Sequence, residues 1–249
     1  ATVQPPSHTS PAVTSEGLDL SELVGSTDPD QALRKLKDAS IASPRDPSLY
    51  VAAGDLYLKK GKLDDAILEY KRAAYVDSKH KEALFKLAKA YSQRGDMEKA
   101  LETAQRLVGL GFDSAAVRQL MAQGHLALQT FHEANGRLEP AKAELKKALD
   151  DLRKASDMEQ NNVEVLWTYG KLLQSADQDK EAALIYRRLT DLSPQNAETW
   201  QAFSFSLLEV EDYVGGLTAL ERSLDLRPTR PVSYDSATYQ NILRLTDGR

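Results

Sequence analysis

Residues 50–73 read YVAAGDLYLKKGKLDDAILEYKRA, and residues 84–107 read LFKLAKAYSQRGDMEKALETAQRL. In each stretch, apolar residues recur at three- and four-residue steps on both sides of a polar break, KKGKLDD in the first and SQRGDME in the second. That period belongs to amphipathic helices, and the breaks carry turn-forming residues, so each stretch is a pair of helices joined by a turn. Laid over one another the two stretches are offset by 34 residues. Gly54 falls on Ala88, Tyr57 on Tyr91, Ala66 on Ala100 and Ala73 on Leu107.

The same layout returns around Gly170, with Leu173, Ala182, Tyr186, Leu189 and Pro194. One more step of 34 residues leads to Ser204, Leu207, Gly216, Leu220 and Pro228. A step back from the first hairpin finds Ala32, Leu36, Ala39 and Pro44, a second helix without a first. Small side chains let two helices approach closely, and large ones fill the space opposite. A period held over most of a chain decides its architecture.

These residues resemble the tetratricopeptide repeat, whose period is about 34 residues and whose pattern runs W-x2-L-G-x2-Y…A-x3-F…P. The resemblance covers roughly residues 28–228, with Tyr50, Leu84, Leu166 and Trp200 at the Trp place. It implies an all-α fold, a right-handed α-solenoid of helix–turn–helix hairpins. Ser204 and Gly216 depart from larger or more helix-favouring choices and are expected to weaken the array locally.

One repeat breaks the period. Ala148, Leu152 and Ala155 are in phase with the following repeat but 14 residues out of phase with the preceding one. Shared between two helices, about Ser114 to Glu133 and about Leu138 to Asp157, the excess adds about two turns to each at 3.6 residues per turn. An extended hairpin over about 114–157 is expected, its tip formed by Gly136 with Pro140. It is either a tolerated insertion or a docking arm.

The ends read differently. Residues 1–27 form a Pro/Ser/Thr-rich flexible tail, because its first part offers too little apolar surface to offset ordering. A short helix is expected over 15–25, with Ser15 as its N-cap. Residues 28–230 carry the solenoid, and 231–249 supply a capping helix, about Tyr234 to Leu245, for the exposed end of the stack.

Composition limits the chemistry. The 249 residues carry 32 basic and 37 acidic side chains, a net of −5. That balance gives no basic footprint for nucleic acid. No run of 18 apolar residues is present, so no transmembrane segment is expected. The absence of cysteine removes thiolate ligands and nucleophiles. Together with the tail it leans toward a soluble protein of the bacterial periplasm or cell envelope, with the cytoplasm as the alternative. His125 and His132 stand seven residues apart without a third ligand, so neither a metal nor another cofactor is expected. Gly109-Leu110-Gly111 follows a helix and reads as its termination rather than a nucleotide loop. No acid–base pair is identifiable, and the chain is read as a non-enzyme.

Tetratricopeptide arrays line a concave groove with their first helices, and the resemblance implies a scaffold that binds a peptide or protein partner there. Projection onto this chain gives Asp55, Phe85, Lys89, Gln123, Trp167, Lys171, Gln174, Gln201, Phe205 and Leu208 as groove residues. Trp167, Phe205 and Leu208 would form an apolar strip, rimmed by Glu164, Glu198 and Lys171. Val51 and Asp55 occupy places where a carboxylate clamp needs a basic residue and an asparagine. A clamp is therefore not expected, although Lys86 and Lys89 leave a smaller basic patch. A homo-oligomeric adaptor, or an interaction module of a larger enzyme, secretion or assembly protein, is the alternative function.

Overall fold

The computed structural model describes residues 18–227. All regular structure among them is helical: α1 (Leu20–Gly25), α2 (Pro29–Ala42), α3 (Pro47–Lys59), α4 (Leu63–Val76), α5 (Lys81–Arg94), α6 (Met97–Gly109), α7 (Ala115–Ala134), α8 (Leu138–Met158), α9 (Val163–Ser175), α10 (Asp179–Leu192), α11 (Ala197–Glu209) and α12 (Tyr213–Asp225). Two compact units are present. Among the described residues, the first contains 18–113 with Gln123–Phe131, and the second contains Ser114–Ala122 with 132–227.

Helix starts follow from capping. The Asp28 carboxylate accepts from the N–H groups of Asp30 and Gln31, and Pro29 supplies a first helical residue that needs no donor. Asp46 and Pro47 repeat the device for α3. In the second unit, Asn162 and Asn196 each accept two amide bonds at the starts of α9 and α11. His80 caps α5 through Nδ1, which accepts from the Ala83 amide at 3.1 Å.

Helix ends within hairpins share one bond. The amides of Lys62, Asp96, Gln178 and Asp212 donate to the carbonyls of Tyr57, Tyr91, Leu173 and Leu207, each at 2.9 Å. This closure needs a left-handed residue just before the donor. Gly61 (φ 71°) and Gly95 (φ 90°) provide it in the first unit, whereas Asp177 (φ 55°) and Glu211 (φ 64°) adopt it in the second against their side chains' preference. Gly111 (φ 74°) confirms that the glycine pair at 109–111 ends α6.

In the first unit, Ala66, Tyr70, Ala73, Ala83, Leu87 and Ala100 form a buried cluster between hairpins. A second cluster joins Leu20 and Leu23 of α1 to Leu36, Leu49 and Leu56. The short helix is thus packed on the array rather than part of a loose tail. It begins at Leu20 under an Asp19 cap, later than expected; Ser15 lies outside the described residues, as do Pro228 and the segment assigned to a capping helix. In the second unit, Ala155 and Val165 pack with Ala115, and Tyr186, Leu173 and Leu189 are fully buried.

The helices at the break in period, α7 and α8, have 20 and 21 residues, against 13 or 14 for α2–α6 and α9–α12. Gly136 (φ 68°) makes the turn between them. Pro140 is not at the tip: it sits in the first turn of α8, where a missing N–H leaves no bond unmade. At the other end of α8, Asp151 pairs with Arg118 of α7 at 2.8 Å, both almost fully buried.

Ser204 and Gly216 are matched rather than weak. The Ser204 hydroxyl donates to the Gly216 carbonyl at 2.7 Å. A Cβ on Gly216 would stand 2.6 Å from the Leu208 side chain, which would have to shift to admit it.

Candidate interaction surface on the first helices

In the first unit, the groove candidates are largely committed to joining neighbouring hairpins. Asp55 of α3 accepts from the Tyr70 hydroxyl at 2.7 Å and is ion-paired with Lys86 of α5. Lys86 also pairs with Glu82 at 3.1 Å. Burial, followed by this hydrogen bond and the Asp55 charge, raises the Tyr70 phenol far above its ordinary range. Two carboxylates offset the Lys86 charge, so the basic patch expected at Lys86 and Lys89 reduces to Lys89, which is exposed. Phe85 meets Phe112 edge to face, with ring centroids 6.3 Å apart, and Lys81 lies over the Phe112 ring. Gln123 of α7 accepts from the Ser92 hydroxyl of α5 at 2.8 Å.

In the second unit, Gln174 of α9 has the same bridging role. Its amide nitrogen donates to the Ala202 carbonyl at 3.2 Å and the Ser206 hydroxyl at 2.9 Å, both on α11. Its amide oxygen accepts from the Tyr186 hydroxyl at 2.7 Å. Burial and the nearby Asp179 charge raise the Tyr186 phenol well above the usual range. Gln201 accepts from Arg227 at 2.8 Å, and Leu208 is turned against Gly216 of α12. The apolar strip expected from Trp167 through Leu208 therefore ends at Phe205.

What these bonds leave available is compact. Trp167 is half-buried, its ring set edge-on to Tyr186 with centroids 5.8 Å apart. The Lys171 ammonium stands 5.5 Å from the Trp167 ring centroid, in range of a cation–π attraction. Phe205 on α11 keeps 47% of its surface exposed. Gln174 ties these two helices side by side, while Glu164 and Glu198 are exposed near their starts.

Among the described residues, no group of three or more His, Asp and Glu side chains is placed to hold a metal ion. His125 is buried in α7. No helix among the described residues is long and apolar enough to cross a membrane.

The family model for the tetratricopeptide repeat matches residues 21–79 and 51–116. Over that span the chain is built of tetratricopeptide repeats. Solved structures extend the fold beyond the matched residues. YrrB, described as "a TPR protein with an unusual peptide-binding site", aligns with a TM-score of 0.65 and 16% identity, over 85% of this chain and 97% of its own. MamA from Desulfovibrio magneticus RS-1 aligns with a TM-score of 0.60 and 15% identity, over 75% of this chain and 97% of its own. TTC0263 of Thermus thermophilus aligns with a TM-score of 0.51 and 19% identity, over 80% of this chain and 99% of its own. No curated protein matches the sequence.

Within the hairpins of regular length, equivalent places are filled by complementary residues. Gly54 and Gly170 face Tyr70 and Tyr186, and a Cβ on either glycine would meet the tyrosine ring at 2.9 Å or less. The corresponding pairs in α5–α6 and α11–α12 are Ala88 with Ala104 and Ser204 with Leu220. At the Trp place, Tyr50 and Trp200 donate to the carbonyls of Pro44 and Pro194, at 3.1 and 2.9 Å. These polar ends clamp each hairpin to the loop before it. The bridges of Asp55, Gln123 and Gln174 were missed by sequence reasoning. Their recurrence at 31 to 32 residues, between first helices of adjacent repeats, is the signal that could have found them.

Proposed function

We propose that this tetratricopeptide repeat protein is a non-enzymatic interaction scaffold whose second unit receives a peptide or partner segment on the face of α9 and α11. The observation that carries the reading is the trio Trp167, Lys171 and Phe205, left partly open on helices whose Gln174, Gln201, Ser204 and Ser206 side chains are bonded elsewhere. Aromatic rings with a charged neighbour supply both contact area and orientation, and such residues dominate the energy of many interfaces. An apolar side chain of the partner would rest on Trp167 and Phe205. Glu164 and Glu198 favour Lys or Arg beside it. The description of YrrB as peptide-binding supports the same class of occupant.

The test is a peptide library displayed on phage and selected against the whole chain. Selected peptides should contain an aromatic or aliphatic residue flanked by basic ones. Trp167→Ala and Phe205→Ala should each weaken them by about 2 kcal/mol or more, as anchors do, with helicity unchanged. Peptides that bind both variants as tightly as the parent would remove the site from this face.

A further inference from the structure

A second recess lies in the first unit. Helices α2 and α4 form its walls and the outer edge of α3 its floor, enclosing about 580 Å³. This volume falls within the range of small-ligand pockets, about 300–1,000 Å³. Its apolar lining includes Leu33, Tyr50, Ala53, Tyr57 and Leu68. Leu68 remains 47% exposed there.

The charges around this floor are unevenly matched. Five cations, Arg34, Lys37, Lys60, Lys62 and Arg72, line the recess with three carboxylates, Asp30, Asp65 and Glu69. Two of the carboxylates are engaged: Asp30 is bonded to Lys60, and Glu69 to Arg72 at 2.7 Å. The bond and charge of Lys60 hold the Asp30 carboxyl below its usual range, helped less by Lys62 and Arg34. Among the described residues, no carboxylate lies within ion-pair distance of Arg34, Lys37 or Lys62. This excess occurs in a protein whose net charge is −5.

Shape separates a peptide from a flat anionic surface. The α2 wall runs from Asp30 to Ser40, a rise of about 15 Å at 1.5 Å per residue. An extended chain covers that length in about four or five residues. We infer that the recess between α2 and α4 binds a short acidic segment of a partner protein, seating an aliphatic or aromatic side chain on Leu33, Tyr57 and Leu68. Carboxylates on either side of that residue meet Arg34, Lys37 and Lys62. The site is independent of the Trp167 face and gives the scaffold a second attachment point of opposite charge preference.

Fluorescence anisotropy on the full chain tests this with a labelled Glu-Asp-Leu-Glu-Glu pentapeptide and its uncharged Gln-Asn-Leu-Gln-Gln counterpart. The acidic probe should bind at least tenfold more tightly than the uncharged one, and its affinity should fall several-fold between 50 and 300 mM salt, as screening requires. Arg34→Glu with Lys37→Glu should weaken the acidic probe at least tenfold. Both positions are exposed, and an unchanged circular dichroism melt would show that the fold is kept. Trp167→Ala should leave this binding intact, which separates failure here from failure of the α9–α11 reading. Equal binding of the two peptides, or no response to the double reversal, overturns the inference. So does Arg34- and Lys37-dependent sedimentation with phosphatidylserine vesicles in the absence of acidic-peptide binding, which would assign the recess to membrane headgroups.

Discussion

Replacing Gly54 by alanine tests the contact on which the first hairpin closes. Helix propensity alone favours the change by about 1 kcal/mol. The structure opposes it, because the new Cβ would stand 2.7 Å from Cδ1 and 2.9 Å from Cζ of Tyr70. That ring is fully buried and its hydroxyl is tied to Asp55, so it cannot swing aside without breaking a bond. Three ring atoms would lie under 3.0 Å from the added Cβ, which puts the cost in the upper part of the overpacking range, about 2–3 kcal/mol, and the net effect is a loss of about 1–2 kcal/mol. For a unit of roughly 100 residues that lowers the melting temperature by about 5–10 °C. Gly109, which has nothing within 4 Å of its would-be Cβ, is the control, and Gly109→Ala should not destabilise. The pairing of Ser204 with Leu220 at the equivalent places shows the compensation. In a Tyr70→Leu background, Gly54→Ala should lose its penalty, with a coupling energy of about 1–3 kcal/mol. Urea and thermal melts of the four proteins by circular dichroism read the cycle. A Gly54→Ala protein as stable as its parent, or a penalty that persists in the Tyr70→Leu background, would refute the packing argument.

Ala182→Asp places an unpaired charge at a fully buried helix contact, and its cost of several kcal/mol should lower the melting temperature of the second unit; an unchanged melt would reject the repeat register. Glu211→Gly relieves a left-handed backbone at a hairpin turn and should stabilise by about 1 kcal/mol in the same melts, whereas a loss of stability would contradict the turn geometry. Tyr70 and Tyr186 keep their protons in the folded state at pH values where the unfolded chain ionises its tyrosines. Their contribution is therefore complete below about pH 10 and declines as pH rises above it. Tyrosinate absorbance should show these two groups titrating only with unfolding, and Tyr186→Phe should make alkaline unfolding less steep.

The fold was legible because close packing writes itself into residue size. Gly54, Tyr57 and Ala66 recur as Ala88, Tyr91 and Ala100 at a fixed step, and Gly54, Ala66, Ala88, Tyr91 and Ala100 are buried in the structure. The change of phase between Ala100 and Ala148 likewise gave the position of the two long helices. The surface was less legible, since a first-helix position one or two places from a packing residue can face a partner or the next repeat. Asp55 and Gln174 illustrate the second outcome: both look like groove residues until their bonds to Tyr70 and Lys86, or to Tyr186 and Ser206, are seen. Leu208 turned toward α12 because Gly216 left room for it. Pro140 was misplaced at the tip because proline fits a first helical turn as readily as a loop. Ser204 reads as a poor packing residue in isolation, and its bond to Gly216 depends on two repeat positions changing together.

The central claim, that a partner segment lies across α9 and α11, is tested most directly by hydrogen–deuterium exchange of the whole chain with and without a library-selected peptide. Protection is predicted in Val163–Ser175 and Ala197–Glu209, where Trp167, Lys171 and Phe205 stand. Protection confined to α10 and α12, or to the turn at Gly136, with α9 and α11 exchanging as in the free protein, would contradict it.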